Sequence, residues 1–89
     1  MPVVYPNPVT GPGPVNLRVP LTAISNVQVK VYTLAFRKVN QLNFEDVLPG
    51  QAVPIPLTDE RGEPLASGLY YLVVEAGGKS WIVKLLVLR

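Results

Sequence analysis

The last third of the chain holds two apolar runs on either side of a glycine pair, and this feature constrains the fold most. The runs cover 68–76 and 79–89, and Gly77-Gly78 lies between them. Apolar, β-branched and aromatic residues separated by two glycines predict a β-hairpin. If the face of the first run that carries Glu75 pointed into the core, the Glu75 carboxylate would be buried without a partner. We therefore expect the other face of this run to point inward. The predicted inward residues are Tyr70, Leu72, Val74 and Ala76 in the first run and Trp81, Val83, Leu85 and Val87 in the second.

Apolar and polar residues alternate in several other short segments, which is typical of half-buried strands. We predict further strands over 3–5, 15–21, 26–32, 36–39, 41–47 and 52–57, with a loop over 10–14. Ten prolines and seven glycines disfavour helices, because a proline inside a helix costs about 3 kcal/mol. Pro54 and Pro56 occupy one side of 52–57, so we place that strand at the edge of a sheet.

About seven short antiparallel strands without a helix predict an all-β fold, an immunoglobulin-like β-sandwich in which two sheets enclose the core. The 89 residues suffice for one domain, so we expect 1–89 to form a single domain. With no cysteine, this sandwich has no disulfide. Met1-Pro2-Val3 lacks the charged and apolar regions of a signal peptide, and Met1 stands directly before a proline-rich strand start, so we expect the chain to be a piece of a longer protein.

The composition argues against several classes of function. Without histidine and cysteine the chain lacks the commonest general base, thiolate nucleophiles and the usual zinc ligands. The eight basic residues are scattered, with Arg37-Lys38 as the adjacent pair, so they form no stripe for nucleic acid. The apolar runs are far shorter than the ~18 residues of a membrane span. We predict a domain without catalytic residues, cofactor, nucleic-acid partner or transmembrane segment.

Two groups of carboxylates were candidates for chemistry. Asp59, Glu60 and Glu63 share one loop and could offer oxygen ligands to Ca²⁺. Their spacing matches no calcium-binding loop, and acidic surface turns are common, so we predict no metal site. Glu45 and Asp46 are neighbours on a predicted strand, where successive side chains point to opposite faces. They are therefore unsuited to paired acid–base catalysis.

Aromatic side chains could form a platform for a sugar, which would make the domain a carbohydrate-binding module. The candidates are Tyr5, Tyr32, Tyr70, Tyr71 and Trp81. We place Tyr70 and Trp81 in the core, where aromatic residues are ordinary. Tyr32 and Tyr71 remain as exposed candidates, so sugar binding is a minor alternative.

Three features together resemble a known kind of module. They are the opening Val4-Tyr5-Pro6-Asn7-Pro8-Val9, the strand Val29-Lys30-Val31-Tyr32, and the late segment from Asp59 through Gly62-Glu63-Pro64-Leu65-Ala66-Ser67-Gly68-Leu69-Tyr70-Tyr71 with the terminal Lys84-Leu85-Leu86-Val87-Leu88-Arg89. This pattern is similar to that of C-terminal immunoglobulin-like domains of large secreted bacterial proteins. Two families share it: the immunoglobulin-like module of the flagellar hook-capping protein, and the type A C-terminal sorting domain of the type IX secretion system.

The chain departs from the shared pattern at two places. Such modules often carry a Gly-Arg-Glu-Val-like turn after the Tyr32 strand, where this chain has Ala35-Phe36-Arg37-Lys38-Val39. They also often carry Trp-Asp-Gly before the late loop, where this chain has Pro56-Leu57-Thr58-Asp59. The first departure leaves open which family is closer, and the second alters the edge strand but not the fold.

The resemblance implies that residues 1–89 are a non-enzymatic C-terminal module of an exported bacterial protein, located at the cell surface or outside the cell. In the sorting family the module is recognised by the outer-membrane secretion machinery and is removed or used for surface attachment. In the hook-cap family it helps subunits to assemble. We therefore predict secretion sorting or surface attachment, with the parent polypeptide and that machinery as partners. The alternative is an assembly scaffold or interaction domain that binds a protein through edge strands such as 53–57.

The resemblance also marks residues with structural or recognition roles. Pro6, Asn7 and Pro8 would bend the chain after the first strand, Gly68 would allow the tight entry into the hairpin, and Tyr70 would anchor the core. The remaining marked residues are Lys84 and Arg89, which belong to the final strand and its basic end.

Overall fold

Eight β-strands form where the sequence alternates between apolar and polar residues, and the computed structural model describes residues 1–89. In chain order they are β1 (Val3–Tyr5), β2 (Val9–Thr10), β3 (Val15–Arg18), β4 (Ser25–Thr33), β5 (Lys38–Val47), β6 (Ala52–Ile55), β7 (Gly68–Ala76) and β8 (Lys79–Leu88). No helix of the length and apolarity needed to traverse a bilayer is present.

The strands form two sheets. β1, β3 and β6 make a three-stranded sheet with β3 in the middle, and a five-stranded sheet has the order β2-β8-β7-β4-β5. Every pairing is antiparallel except β2 with β8, which is parallel. The predicted all-β, immunoglobulin-like sandwich without a disulfide is confirmed. The predicted hairpin is also confirmed as β7 and β8, joined at Gly77-Gly78.

A single core of nineteen buried apolar residues lies between the sheets. The predicted inward residues of β7 are all buried, and those of β8 are buried at Leu85 and Val87 or packed against the core at Trp81 and Val83. β6 lies at the edge of the three-stranded sheet, as its prolines predicted, and its residues Val53 and Ile55 are buried. Period-two alternation therefore identified the inner faces correctly.

β5 corrects the prediction of separate strands over 36–39 and 41–47, because it is one continuous strand from Lys38. The two predicted strands were separated at Asn40, which is a polar residue in an inward position. Asn40 is buried, its Nδ2 donates to the Thr58 carbonyl oxygen at 2.9 Å, and its Oδ1 accepts the Gln41 N–H at 2.8 Å. Because both ends of the amide are satisfied, a buried asparagine does not interrupt the strand.

β5 also contains an extra residue near its end. Val27 pairs with Phe44, whereas Ser25 pairs with Val47, so β5 is irregular at this point. Asp46 adopts a φ of 52° there, a left-handed conformation that aspartate tolerates better than most residues. The shift turns Val47 into the core and leaves both Glu45 and Asp46 exposed, so neither carboxylate enters the core.

β2 is the second correction, since Thr10 lies in a strand and not in the predicted loop over 10–14. Val9 pairs with Val87 and Thr10 with Leu88. A two-residue strand that pairs with the far end of the chain has no local pattern of its own, which is why its sequence did not reveal it.

We expect Leu72→Ala to lower the free energy of unfolding by about 2–5 kcal/mol, because Leu72 is fully buried and its truncation leaves a cavity. Ile82→Ala on the outer face of β8, where Ile82 is 60% exposed, is the matched control and should cost less than about 1 kcal/mol. Urea denaturation of residues 1–89 measures both values. Equal losses would contradict the assignment of inner and outer faces.

Candidate functional site

The residues marked by the resemblance come together around the C-terminal half of β8. Asn7 bonds to the backbone of Lys84 and Leu86, and Gly68 pairs with Val87. Tyr70 pairs with Leu85, and Arg89 bonds to the loop that precedes β7. Residues from both ends of the sequence thus surround one short stretch of strand.

Asn7 joins the opening segment to β8 through its side chain. Its Nδ2 donates to the Lys84 carbonyl oxygen at 2.8 Å, and its Oδ1 accepts the Leu86 N–H at 3.1 Å. Pro6 and Pro8 have no backbone N–H and cannot donate to a strand. The asparagine amide therefore pairs with the backbone of β8 just before β2 begins.

The Pro6–Pro8 segment carries the chain from one sheet to the other. β1 belongs to the three-stranded sheet and β2 to the five-stranded sheet, with only this segment between them. The bond from Asn7 and the parallel pairing of β2 cover successive parts of the same edge of β8. The segment closes that edge and holds the two sheets together at one side.

Gly68 and Tyr70 fix the entry into the hairpin. Gly68 has a φ of +154°, which strains any residue with a Cβ, although open space surrounds the position. The buried Tyr70 donates its hydroxyl to the Ala66 carbonyl oxygen at 2.7 Å, four residues upstream. A tyrosine near the start of a strand that bonds back to the preceding chain is the tyrosine corner of immunoglobulin-like domains.

Arg89 closes the same loop from the other side. Its backbone N–H donates to Ser67 Oγ at 2.8 Å, and its Nε donates to the Leu65 carbonyl oxygen. Leu65 is itself part of the buried core. Arg89, directly after β8, thus ties the late loop to the sandwich.

Of the three acidic side chains of the late loop, that of Asp59 bonds to the loop's own backbone. Asp59 Oδ1 accepts the N–H groups of Arg61 and Glu63 at 2.9 and 3.0 Å, which forms a local turn. Glu60 and Glu63 are exposed. Nowhere in the chain do three or more metal-ligating side chains converge.

Lys84 differs from the other marked residues because its side chain bonds to nothing in the chain. It is exposed on the outer face of β8, opposite Tyr71 of β7. The one ion pair of the chain joins Lys30 and Glu75 at 3.9 Å and does not involve it. Its ammonium group is therefore free to meet a partner.

The candidate aromatic residues do not form one platform. Tyr70 is buried, Trp81 packs against the core, and Tyr5 belongs to the three-stranded sheet. Tyr32 and Tyr71 are neighbours on adjacent strands of the five-stranded sheet, and both are half-buried.

Phe36 is the residue that sequence reasoning missed, since it was placed in a strand. It lies in the turn between β4 and β5 with a φ of 60°, and it is 70% exposed. Its ring stacks on Tyr71 with centroids 5.3 Å apart and planes inclined by 4°. A left-handed conformation costs a bulky residue about 1–2 kcal/mol. The available signal was the departure from the glycine-containing turn of related modules.

Comparison with known proteins gives a matching family and similar solved structures. Residues 3–88 match the model of the family described as the secretion system C-terminal sorting domain. PorZ, an essential bacterial surface component of the type-IX secretion system of human oral-microbiomic Porphyromonas gingivalis, is 28% identical with a TM-score of 0.71. The match covers 99% of this chain and 11% of that chain.

The second similar structure is dimeric latent PorU from Porphyromonas gingivalis. It is 26% identical with a TM-score of 0.66, and the match covers 99% of this chain and 9% of that chain. The chain thus spans only about a tenth of the length of either protein. No curated protein matches it.

We expect Asn7→Ala to lower the free energy of unfolding by about 1–3 kcal/mol, because two hydrogen bonds to β8 are lost and its edge is left open. Asn16→Ala on β3 is the matched control, since the Asn16 side chain makes no hydrogen bond within the chain. Thermal unfolding followed by circular dichroism compares the variants. The role of Asn7 would be contradicted by equal melting temperatures for the two variants.

Tyr70→Phe should cost about 1–2 kcal/mol of stability, because it removes the hydroxyl that bonds Ala66 and leaves a carbonyl unsatisfied. Tyr71→Phe removes a hydroxyl with no bond within the chain and should change stability by less than about 0.5 kcal/mol. Urea denaturation separates the two. If Tyr70→Phe proved as stable as Tyr71→Phe, the tyrosine corner would not be a stabilising contact.

Proposed function

The chain belongs to the family of secretion system C-terminal sorting domains, and from that membership we propose that it directs a longer bacterial protein to the type IX secretion machinery. The observation that carries the proposal is the family match over residues 3–88, nearly the whole chain. On this proposal residues 1–89 are a single C-terminal module of their parent polypeptide. The module performs no reaction and is recognised by other proteins.

The arrangement of the marked residues supports a role as a signal that is recognised in folded form. Asn7, Tyr70 and Arg89 each use a polar side-chain atom to hold a separate segment against β8 or β7. Such ties fix a surface, and a preformed surface loses little conformational entropy when a partner binds it. A tail recognised only as an extended peptide would need none of them.

The destination that we propose for the parent protein is the bacterial cell surface or the extracellular space. The domain would either be removed after export or serve to retain the parent at the surface. Similarity to PorZ, a surface component of the type-IX secretion system, supports the proposal at the level of the domain. The parent's own activity is not determined by this module.

We expect a reporter protein with an export signal at its N-terminus and residues 1–89 at its C-terminus to cross the outer membrane of a bacterium that has a type IX system. Fractionation would measure the reporter in periplasm, on the surface and in the medium. One control replaces residues 1–89 with an unrelated immunoglobulin-like domain, and another uses a strain without the machinery. A reporter that stays in the periplasm in every case would refute the proposal, and the ratio of surface to medium distinguishes retention from release.

A further inference from the structure

The outer face of the five-stranded sheet is apolar over part of its area, although the solvated face of an antiparallel sheet is usually polar. Near the β7–β8 turn this face is polar, with Gln28, Glu75 and Ser80 in one cross-strand row. Farther along β7 and β8 it becomes apolar. We name this second area the outer strip, which comprises Leu69, Tyr71, Val73, Ile82, Leu86 and the stacked Phe36.

The outer strip is continuous across two strands. Leu69 pairs with Leu86 and Val73 pairs with Ile82, and directly opposite residues lie about 5 Å apart. Ile82 is 60% exposed, and Phe36 is 70% exposed. The other strip residues, Leu69, Tyr71, Val73 and Leu86, are half-buried. Contiguous apolar patches that remain in contact with solvent often mark interaction sites.

Phe36 extends the strip at the expense of backbone strain. Its φ of 60° favours glycine, yet the position carries a large ring. Because most of the ring is in solvent, its stacking on Tyr71 buries little surface for the fold. Strained residues persist where the surrounding structure or a function requires them. An exposed aromatic ring beside Tyr71 suits contact with another protein.

The charge on the strip indicates the chemistry of its partner. Lys84 lies beside Tyr71, between Ile82 and Leu86 along β8, and it has no ion pair. The other cations nearby have acidic neighbours: Lys30 pairs with Glu75, and a shallow depression brings Arg37, Lys38 and Arg61 together with Asp59 and Glu60. Lys84 is therefore the unbalanced charge of the strip. A complementary surface would place a carboxylate opposite it.

We propose that the outer strip docks a protein surface that presents aliphatic or aromatic side chains around a carboxylate, which meets Lys84. This inference rests on the proposed function, with the partner belonging to the secretion machinery. The strip supplies the apolar centre of the interface, where a few buried side chains carry most of the binding energy. Lys84 supplies orientation and discrimination against basic surfaces.

The test uses the reporter fusion with changes on the strip. Phe36→Gly relieves the left-handed strain while removing the ring, so the domain remains folded. Ile82→Ser and Lys84→Glu remove an apolar contact and reverse the charge. The matched controls are Val3→Ser and Arg18→Glu, an apolar and a basic residue that pair across the outer face of the three-stranded sheet. Thermal unfolding of each purified domain verifies folding.

We expect the strip variants to lower the exported fraction by about tenfold, the effect of losing one central contact, while the controls export normally. Normal export of Phe36→Gly and Ile82→Ser would overturn the docking surface, and normal export of Lys84→Glu would overturn the carboxylate. If the unmodified fusion is not exported, the proposed function is refuted, and so is the assignment of the strip's partner to the secretion machinery. Sedimentation of residues 1–89 that showed a dimer dissociated by Ile82→Ser would replace the partner with a second copy.

Discussion

The C-terminal half of β8 has hydrogen-bond partners on both sides, β7 on one side and the opening segment of the chain on the other. β7 pairs with β8 along its whole length on one side. On the other side the Asn7 amide bonds to Lys84 and Leu86, after which β2 takes over with a parallel pairing. Because an open strand edge invites unwanted pairing, the opening segment over 6–10 protects the part of β8 that the hairpin leaves open.

Much of this architecture was predictable from the sequence because it depends on local patterns. Alternation with period two identified the inner faces of β4, β6, β7 and β8, and Gly77-Gly78 identified the hairpin. Pro54 identified an edge strand, since proline cannot donate to a second neighbour. In each case the residues that determine an element lie within that element or within a few positions of it.

The features that escaped prediction depend on contacts between distant segments. Asn40 is tolerated in the core because Thr58 accepts its amide, and β2 exists because Val87 and Leu88 offer it an edge. The left-handed turn at Phe36 is occupied by an aromatic ring that stacks on Tyr71, a residue far away in sequence. No local pattern contains this information, so a sequence without its relatives could not reveal it.

The polar residues marked by the family pattern divide into two physical classes. Asn7, Tyr70 and Arg89 direct polar side-chain atoms at the backbone of other segments, and these atoms are occupied in the folded domain. Lys84 instead contributes its carbonyl oxygen to the fold and keeps its ammonium group free on an apolar surface. The family pattern therefore contains residues that stabilise the domain and a residue that is free to contact a partner. Only residues of the second kind can distinguish the partner of one sorting domain from that of another. Core packing constrains the residues on the inner faces of the sheets, so the residues that recognise a partner can vary on the outer faces.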